Sequence, residues 1–164
     1  MRELFYLAKF IYVFCAVGLG FISFCITVPV FGADVLRGNF PPPFSWGLVL
    51  ITFLLFFTAN HIYKNGKRKL EDKLKSINFT ASNGLQLFNP IAERYIGINL
   101  ITQKIVLISL ISKQPIIELP LKVLSGYELR GSNLTLKLND YDTPSFAMSH
   151  NSGFRDRLDV YLNS

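Results

Sequence analysis

The sequence predicts an α+β membrane protein, in which an N-terminal two-helix transmembrane hairpin is followed by a small antiparallel β domain that ends in a C-terminal helix. Three observations predict it. Phe10 to Phe31 and Trp46 to Tyr63 are apolar stretches without a single Asp, Glu, Lys or Arg. A burst of positive charge runs from Lys64 to Lys75. From Ile77 onward, short alternating segments and turn signals replace the apolar runs.

A hydrocarbon core of about 30 Å takes roughly 20 apolar residues as helix, which both stretches approach. Composition agrees, because 164 residues that are 50% hydrophobic and 17% charged carry few charges for a soluble surface. The net charge of +6 is unevenly placed. Lys64, Lys67, Arg68, Lys69, Lys73 and Lys75 are opposed only by Glu71 and Asp72, so the basic pI describes a linker rather than a nucleic-acid-binding face.

The first expected span is a helix over 10–31. Its Cys15 and Cys25 are ten residues apart, about 15 Å along the axis, and cannot bridge each other within one helix. Gly18 and Gly20 beside Ala16 form a thin patch where the second helix can approach, although not at the four-residue spacing of strong dimer motifs. That patch allows self-association without requiring it. The hydroxyls of Ser23, Thr27, Thr52 and Thr58 can bond back to their own helices. In the second span, 46–63, Asn60 and His61 mark one end, where a histidine suits the headgroup layer better than a proton path.

Between the spans, 32–45 reads GADVLRGNFPPPFS, and Pro41, Pro42 and Pro43 favour an extended arc. Phe40 and Phe44 flank the prolines and Trp46 follows. Phe40, Pro42, Phe44 and Trp46 are the candidate interaction residues: either the rings rest on the bilayer surface, or this apolar turn meets a protein arriving from outside. Tyr6, Tyr12, Tyr63 and Trp46 suit an interfacial aromatic belt.

Orientation follows from counting Lys and Arg beside each span, since these are kept on the cytoplasmic side. Arg2 and Lys9 precede the first span, Arg37 alone lies between, and six basic residues follow the second. A hairpin with both termini in the cytoplasm satisfies all three counts; in a bacterium, 32–45 is then a periplasmic loop of an inner-membrane protein. A second reading makes the first span a cleaved signal peptide, since Val30 and Gly32 precede Ala33 at a suitable spacing. Its apolar run exceeds the ~7–15 residues of a signal h-region, which favours the hairpin.

Residues 64–76 read as a basic juxtamembrane linker. Leu70, Leu74 and Ile77 recur at helical spacing and Glu71 pairs with Lys75, with Asn65 and Gly66 expected to interrupt the helix. The charges of Lys64, Lys67, Arg68, Lys69, Lys73 and Lys75 either set topology alone or also bind anionic lipid.

Residues 77–164 read as one cytoplasmic β-rich domain. Ile77 and Phe79 alternate with polar residues before the hairpin signal Asn83-Gly84, and Leu85 and Leu87 resume the alternation. Further strands are expected over 94–100, 104–111, 116–119, 123–129, 134–138 and 145–148. Ile105 to Ile108 is apolar on both sides, so its strand should be central or covered by the terminal helix. That helix is expected over 152–163, with Ser152 as N-cap and Phe154, Leu158 and Tyr161 on one face.

Raw material for chemistry is thin. The histidines are His61 and His150, and no cysteine follows Cys25, so no nucleophile–base pair or zinc site is expected. Asp140 and Asp142 lack the remaining ligands of a calcium loop, and Gly126 and Gly131 form no phosphate-cradling turn. The chain is expected not to be an enzyme and to use no cofactor or metal.

Antiparallel strands ending in one amphipathic helix resemble the element order of bacterial pleckstrin-homology-like domains over 77–164. The N-terminus MRELFYLAKFIYVF, running into two spans and a short β-rich tail, resembles the superinfection-exclusion protein A family of prophages in enteric bacteria. That resemblance implies a small inner-membrane protein that blocks DNA injection by related phages, without catalysis. Its partners would be the bilayer and incoming phage ejection proteins or another membrane protein, with homo-oligomers allowed and no direct contact with nucleic acid. The alternatives are a membrane-anchored scaffold whose β domain binds a partner or lipid headgroups, and a plasmid entry-exclusion protein.

Overall fold

The computed structural model describes residues 2–40, 43–81, 84–112, 114–149 and 152–162. Pro42, Asn83 and His150, and the side chains of Ser152 and Tyr161, lie outside the described residues, and with them the roles expected of those groups. The chain divides into two compact units, Met1–Asn65 and Gly66–Ser164.

The first unit contains α1 (Arg2–Leu36) and the greater part of α2 (Pro43–Ser76). Both helices are long and apolar enough to cross a membrane. They outrun the expected 10–31 and 46–63, so 32–36 and 43–45 of the expected loop are helical. Pro29 lies inside α1 without ending it. Proline removes one hydrogen bond from a long apolar helix, and the rest of the ladder carries the chain through. α1 stops at a Schellman cap. Gly38 takes φ 73°, its N–H donates to the Val35 carbonyl at 3.0 Å, and the Asn39 N–H donates to the Asp34 carbonyl at 3.0 Å.

Within this unit the helices run antiparallel, as the contacts Tyr12–Thr58, Ser23–Thr52 and Phe31–Trp46 require. Small side chains line the seam: Ala16, Ala59, Thr27 and Thr52 are buried. A Cβ on Gly20 would stand 3.3 Å from the Phe56 ring, whereas one on Gly18 would meet nothing within 4 Å. The thin patch expected around Gly18 and Gly20 is therefore a helix contact at Gly20 only.

In the second unit, β1 (Leu85–Asn89), β2 (Arg94–Asn99), β3 (Lys104–Ser109) and β4 (Ile116–Pro120) form a four-stranded antiparallel meander. A 3₁₀ turn, Leu121–Val123, leads to a second sheet of β5 (Leu124–Arg130), β6 (Asn133–Leu138) and β7 (Ser145–Ser149). α3 (Ser152–Leu162) ends the described chain.

Two loops of the meander share one grammar. Asn89 and Asn99 each close a strand and accept loop N–H groups on Oδ1, at 3.0 Å from Ala92, and at 2.9 Å from both Ile101 and Thr102. Four residues later Glu93 and Gln103 take φ 52° and 53°, and Arg94 and Lys104 open the next strand. These Asx turns set the register locally, pairing Asn89 with Arg94 and Asn99 with Lys104. The β5–β6 link is a two-residue hairpin with Gly131 at φ 60°.

The alternation places the core. Leu85, Leu87, Ile96, Ile98, Ile105 and Leu107 from the meander join Leu134, Leu136, Leu138, Phe146 and Met148 from the second sheet, with Phe154 and Leu158 of α3, in one cluster. The other face of the meander, Tyr95, Val106 and Ile108, is covered by Leu70 and Leu74 of α2. β3 is thus an inner strand buried on both faces, with α2 rather than the terminal helix over Val106 and Ile108.

This overturns the linker reading of 64–76. Asn65 and Gly66 do not interrupt α2, which continues to Ser76 because its apolar stripe has a sheet to pack on. Ile77 and Phe79 do not begin a strand either. Asn78 takes φ 51°, its N–H reaches the Lys75 carbonyl at 3.1 Å, and the Phe79 N–H reaches the Leu74 carbonyl at 3.1 Å, a Schellman cap with asparagine in the left-handed position. β1 pairs with β2 and, among the described residues, with no strand before it.

Candidate functional site: an aromatic turn and a basic helix face

The aromatic residues expected between the spans sit at the α1–α2 turn. Phe40 is 84% exposed and stacks on Trp46 with centroids 6.3 Å apart. Trp46 in turn meets Phe31 edge to face at 5.2 Å. Phe44, 73% exposed, is in the first turn of α2 and has no described ring contact. Phe40 and Trp46 are brought together; Trp46 is helical as expected, and Phe44 belongs to the helix rather than to the loop, because α2 starts at Pro43, the position where proline is preorganised to open a helix. A surface of stacked rings can bury apolar area against a partner without any chemistry of its own.

The basic residues lie on the last turns of α2 and are all exposed. Arg68 and Lys75 fall, with Asp72, on the face turned away from Leu70 and Leu74, and Lys64 belongs to the first unit. Lys73 flanks that face, whereas Lys67, three residues before Leu70, lies beside the apolar stripe and pairs with Glu71 at 3.7 Å. Lys69 does something else. It reaches Glu93 at 3.2 Å, and Glu93 is 3% exposed, so this lysine ties α2 to the β1–β2 turn. The six charges thus divide between a solvated face and a structural clamp.

The hydroxyls in the helix pair were expected to be satisfied by their own helices, and Thr52 and Thr58 do bond to Leu48 and Leu54 carbonyls at 2.8 and 2.9 Å. They also bridge the helices. Thr52 is 2.5 Å from the Ser23 hydroxyl, and Thr58 is 3.0 Å from the Tyr12 hydroxyl. Thr27 and Ser45 are buried with unpartnered hydroxyls. These pairings depend on the rotational phase of two helices, for which a run of apolar letters holds no signal.

Displaced acidities in the second unit follow from packing. Burial raises the Tyr95 hydroxyl above its ordinary range. The hydrogen bond to Asp159 raises Tyr127, and the Lys137 ammonium at 2.6 Å lowers the Glu128 carboxyl. These groups are distributed over the second core, the α3 contact and the β5–β6 surface, and do not converge on one cavity. Among the described residues, no group of three or more His, Cys, Asp or Glu side chains is placed to hold a metal ion. Cys15 and Cys25 are free and exposed. Comparison of the chain with protein-family models, with curated proteins and with solved structures finds no match.

Proposed function

We propose that the chain is a non-catalytic protein of the bacterial inner membrane that interferes with the entry of foreign DNA, as its resemblance to the superinfection-exclusion protein A family implies. In this reading α1 and α2 cross the bilayer, both termini are cytoplasmic, and the aromatic turn faces the periplasm, where an ejection protein of an incoming phage or another membrane protein first meets it. The observation that carries the reading is the exposed Phe40, backed by Trp46 and Phe31, at the end of α2 remote from Lys64, Lys67 and Arg68. Basic residues after a span keep that end inside, which directs the aromatic end outward. The test is expression of the chain in a sensitive host, followed by phage challenge with separate readouts for adsorption and DNA entry. Normal adsorption with blocked entry supports the reading, and equal entry in expressing and control cells overturns it. A plasmid challenge in the same strain separates phage exclusion from conjugal entry exclusion.

A second reading, an anchored scaffold whose β domain binds a partner or lipid headgroups, is favoured by one observation. The last turns of α2 are built into the second unit through Leu70 and Leu74, leaving Arg68 and Lys75 on the outward face. The seven antiparallel strands followed by α3 are also consistent with the element order of pleckstrin-homology-like domains. Sedimentation of 66–164 with vesicles containing phosphatidylserine, against vesicles of phosphatidylcholine alone, tests lipid binding by this face.

A further inference from the structure

The 3₁₀ turn Leu121–Val123 joins the two sheets, and hydrogen bonds gather two loops around it. The Leu121 N–H donates to the Gln103 carbonyl of the β2–β3 loop at 2.8 Å, and the Asn139 N–H of the β6–β7 loop donates to the Val123 carbonyl at 2.8 Å. Strand pairing fixes the same neighbourhood, with Lys104 opposite Pro120 and Leu124 opposite Leu138. One end of the second unit is therefore built from these two loops with the turn between them.

Folding does not explain what this end presents. Ile101 in the first loop is 66% exposed, and Tyr141 in the second is 99% exposed. They are two of the four large apolar side chains that this unit exposes among the described residues, and they stand on neighbouring loops. The charges are sorted by sign. Lys104 and Lys122 are exposed beside the β2–β3 loop and on the turn, whereas Asp142 and, less fully, Asp140 belong to the β6–β7 loop. None of the four makes an ion pair among the described residues, while Lys137 nearby is taken by Glu128 at 2.6 Å. The Asp140 Oδ2 accepts the Thr143 N–H at 2.9 Å, which holds the second loop in shape.

We infer that this end of the second unit is a two-fold contact surface for a second copy of the chain, with Tyr141 against the partner's Ile101 and Lys104 and Lys122 facing the partner's Asp140 and Asp142. Charge decides the occupant. A polyanion, whether an anionic bilayer or a nucleic acid, is met by a field of one sign, and the two aspartates here oppose it. A two-fold contact brings a patch against itself, so it requires a layout that carries its own complement. Turning one copy by 180° about the 3₁₀ turn lays its basic side over the acidic side of the other, with the ring and the isoleucine as apolar anchors inside a polar rim. The surface lies wholly within the second unit, so the inference does not depend on α1 and α2 crossing a membrane.

The full chain, purified in mild detergent under two distinguishable tags, is tested for association of one tagged copy with the other, with sedimentation equilibrium for the dimer constant. Wild-type copies are expected to associate. Lys104→Glu with Lys122→Glu makes this end acidic throughout. Asp140→Asn with Asp142→Lys makes it basic throughout and keeps an acceptor for the Thr143 N–H. Each should lower self-association at least about tenfold, because like charges then face each other, and mixing the two should restore it as a mixed dimer. Tyr141→Ser, at a site where no internal packing is lost, should weaken the dimer about tenfold. Near-ultraviolet circular dichroism matching the wild type keeps misfolding from imitating these losses. A monomeric wild type overturns the inference. A dimer that survives all three changes overturns it too, since another surface, α1 and α2 included, then holds the copies together. Loss in both charge variants without recovery in the mixture also overturns it.

Discussion

The backbone of α2 at Gly66 lies against the Pro90 carbonyl so closely that a Cβ there would stand 2.0 Å from the oxygen. A glycine inside a helix normally weakens it by about 1 kcal/mol relative to alanine. Here the missing side chain lets the helix sit down on the β1–β2 turn, where Lys69 and Glu93 then meet.

Gly66→Ala is therefore expected to destabilise the second unit despite its better helix propensity. Neither backbone can yield freely, and overpacking of this kind costs about 1–3 kcal/mol. For a domain of this size each kcal/mol is worth about 4–8 °C in Tm. Thermal unfolding followed by tyrosine near-ultraviolet circular dichroism reads the shift. An unchanged Tm would mean that the Pro90 turn moves aside.

Cutting the chain at 77 rather than at 66 should damage the β domain. The shorter fragment lacks Leu70 and Leu74 and uncovers Tyr95, Val106 and Ile108. Removing two buried leucines forfeits about 1.5–3 kcal/mol each. Fragment 66–164 is expected to unfold cooperatively, and 77–164 to bind a hydrophobic dye and unfold at lower urea. Equal urea midpoints would show that the α2 cover contributes little.

Stability should fall in alkali through Tyr95. Its folded pKa is raised by burial above the unfolded value of about 10, so its contribution is complete below that pH and is lost as pH rises beyond it. The urea midpoint measured from pH 8 to pH 11.5 should decline more steeply in the wild type than in Tyr95→Phe. Parallel declines would assign the alkaline limb to other groups.

The Ser23–Thr52 contact predicts a coupled pair in the helix hairpin. A double-mutant cycle of Ser23→Ala and Thr52→Val in detergent is expected to give a coupling of about 0.6 kcal/mol, with ~1.7 kcal/mol as a ceiling. Strict additivity would mean that each hydroxyl is served by its own helix alone.

If the aromatic turn is the contact surface, Phe40→Ala combined with Phe44→Ala should abolish protection against DNA entry while leaving membrane abundance unchanged. Trp46 is the chain's one tryptophan, and loss of the Phe40 stack should shift its emission to the red. Full protection by the double variant at equal abundance removes the turn from the mechanism.

Much of the fold was legible because the signals were local. Leu134, Leu136 and Leu138 are buried while Lys137 between them is exposed, as strand alternation requires. The apolar runs became α1 and α2 because nothing charged interrupts them. What escaped was relational. Leu70 and Leu74 showed helical spacing, but the partner of that stripe is a sheet some 30 residues downstream, and the surrounding charges made a linker the simpler account. Ile77-Asn78-Phe79 imitates strand alternation, yet its asparagine serves as a helix cap, and only the sheet beneath Phe79 distinguishes the two. The aromatic residues of the turn were visible as letters, while the Phe31–Trp46 contact and the Ser23–Thr52 bridge depend on how two helices are rotated against each other. Composition leaves that rotation open.

The α2 cover also has a consequence for biosynthesis. Leu70 and Leu74 leave the ribosome before the strand that will bury them, since Val106 and Ile108 follow roughly 30 residues later. At about 5–20 residues per second, that stripe waits naked for on the order of 2–6 s. During this interval Arg68, Asp72 and Lys75 are the nearby charges that oppose association of the uncovered stripe with its neighbours. The meander that ends the wait is built from adjacent hairpins with their own turn grammar, so it can assemble quickly once β3 is out.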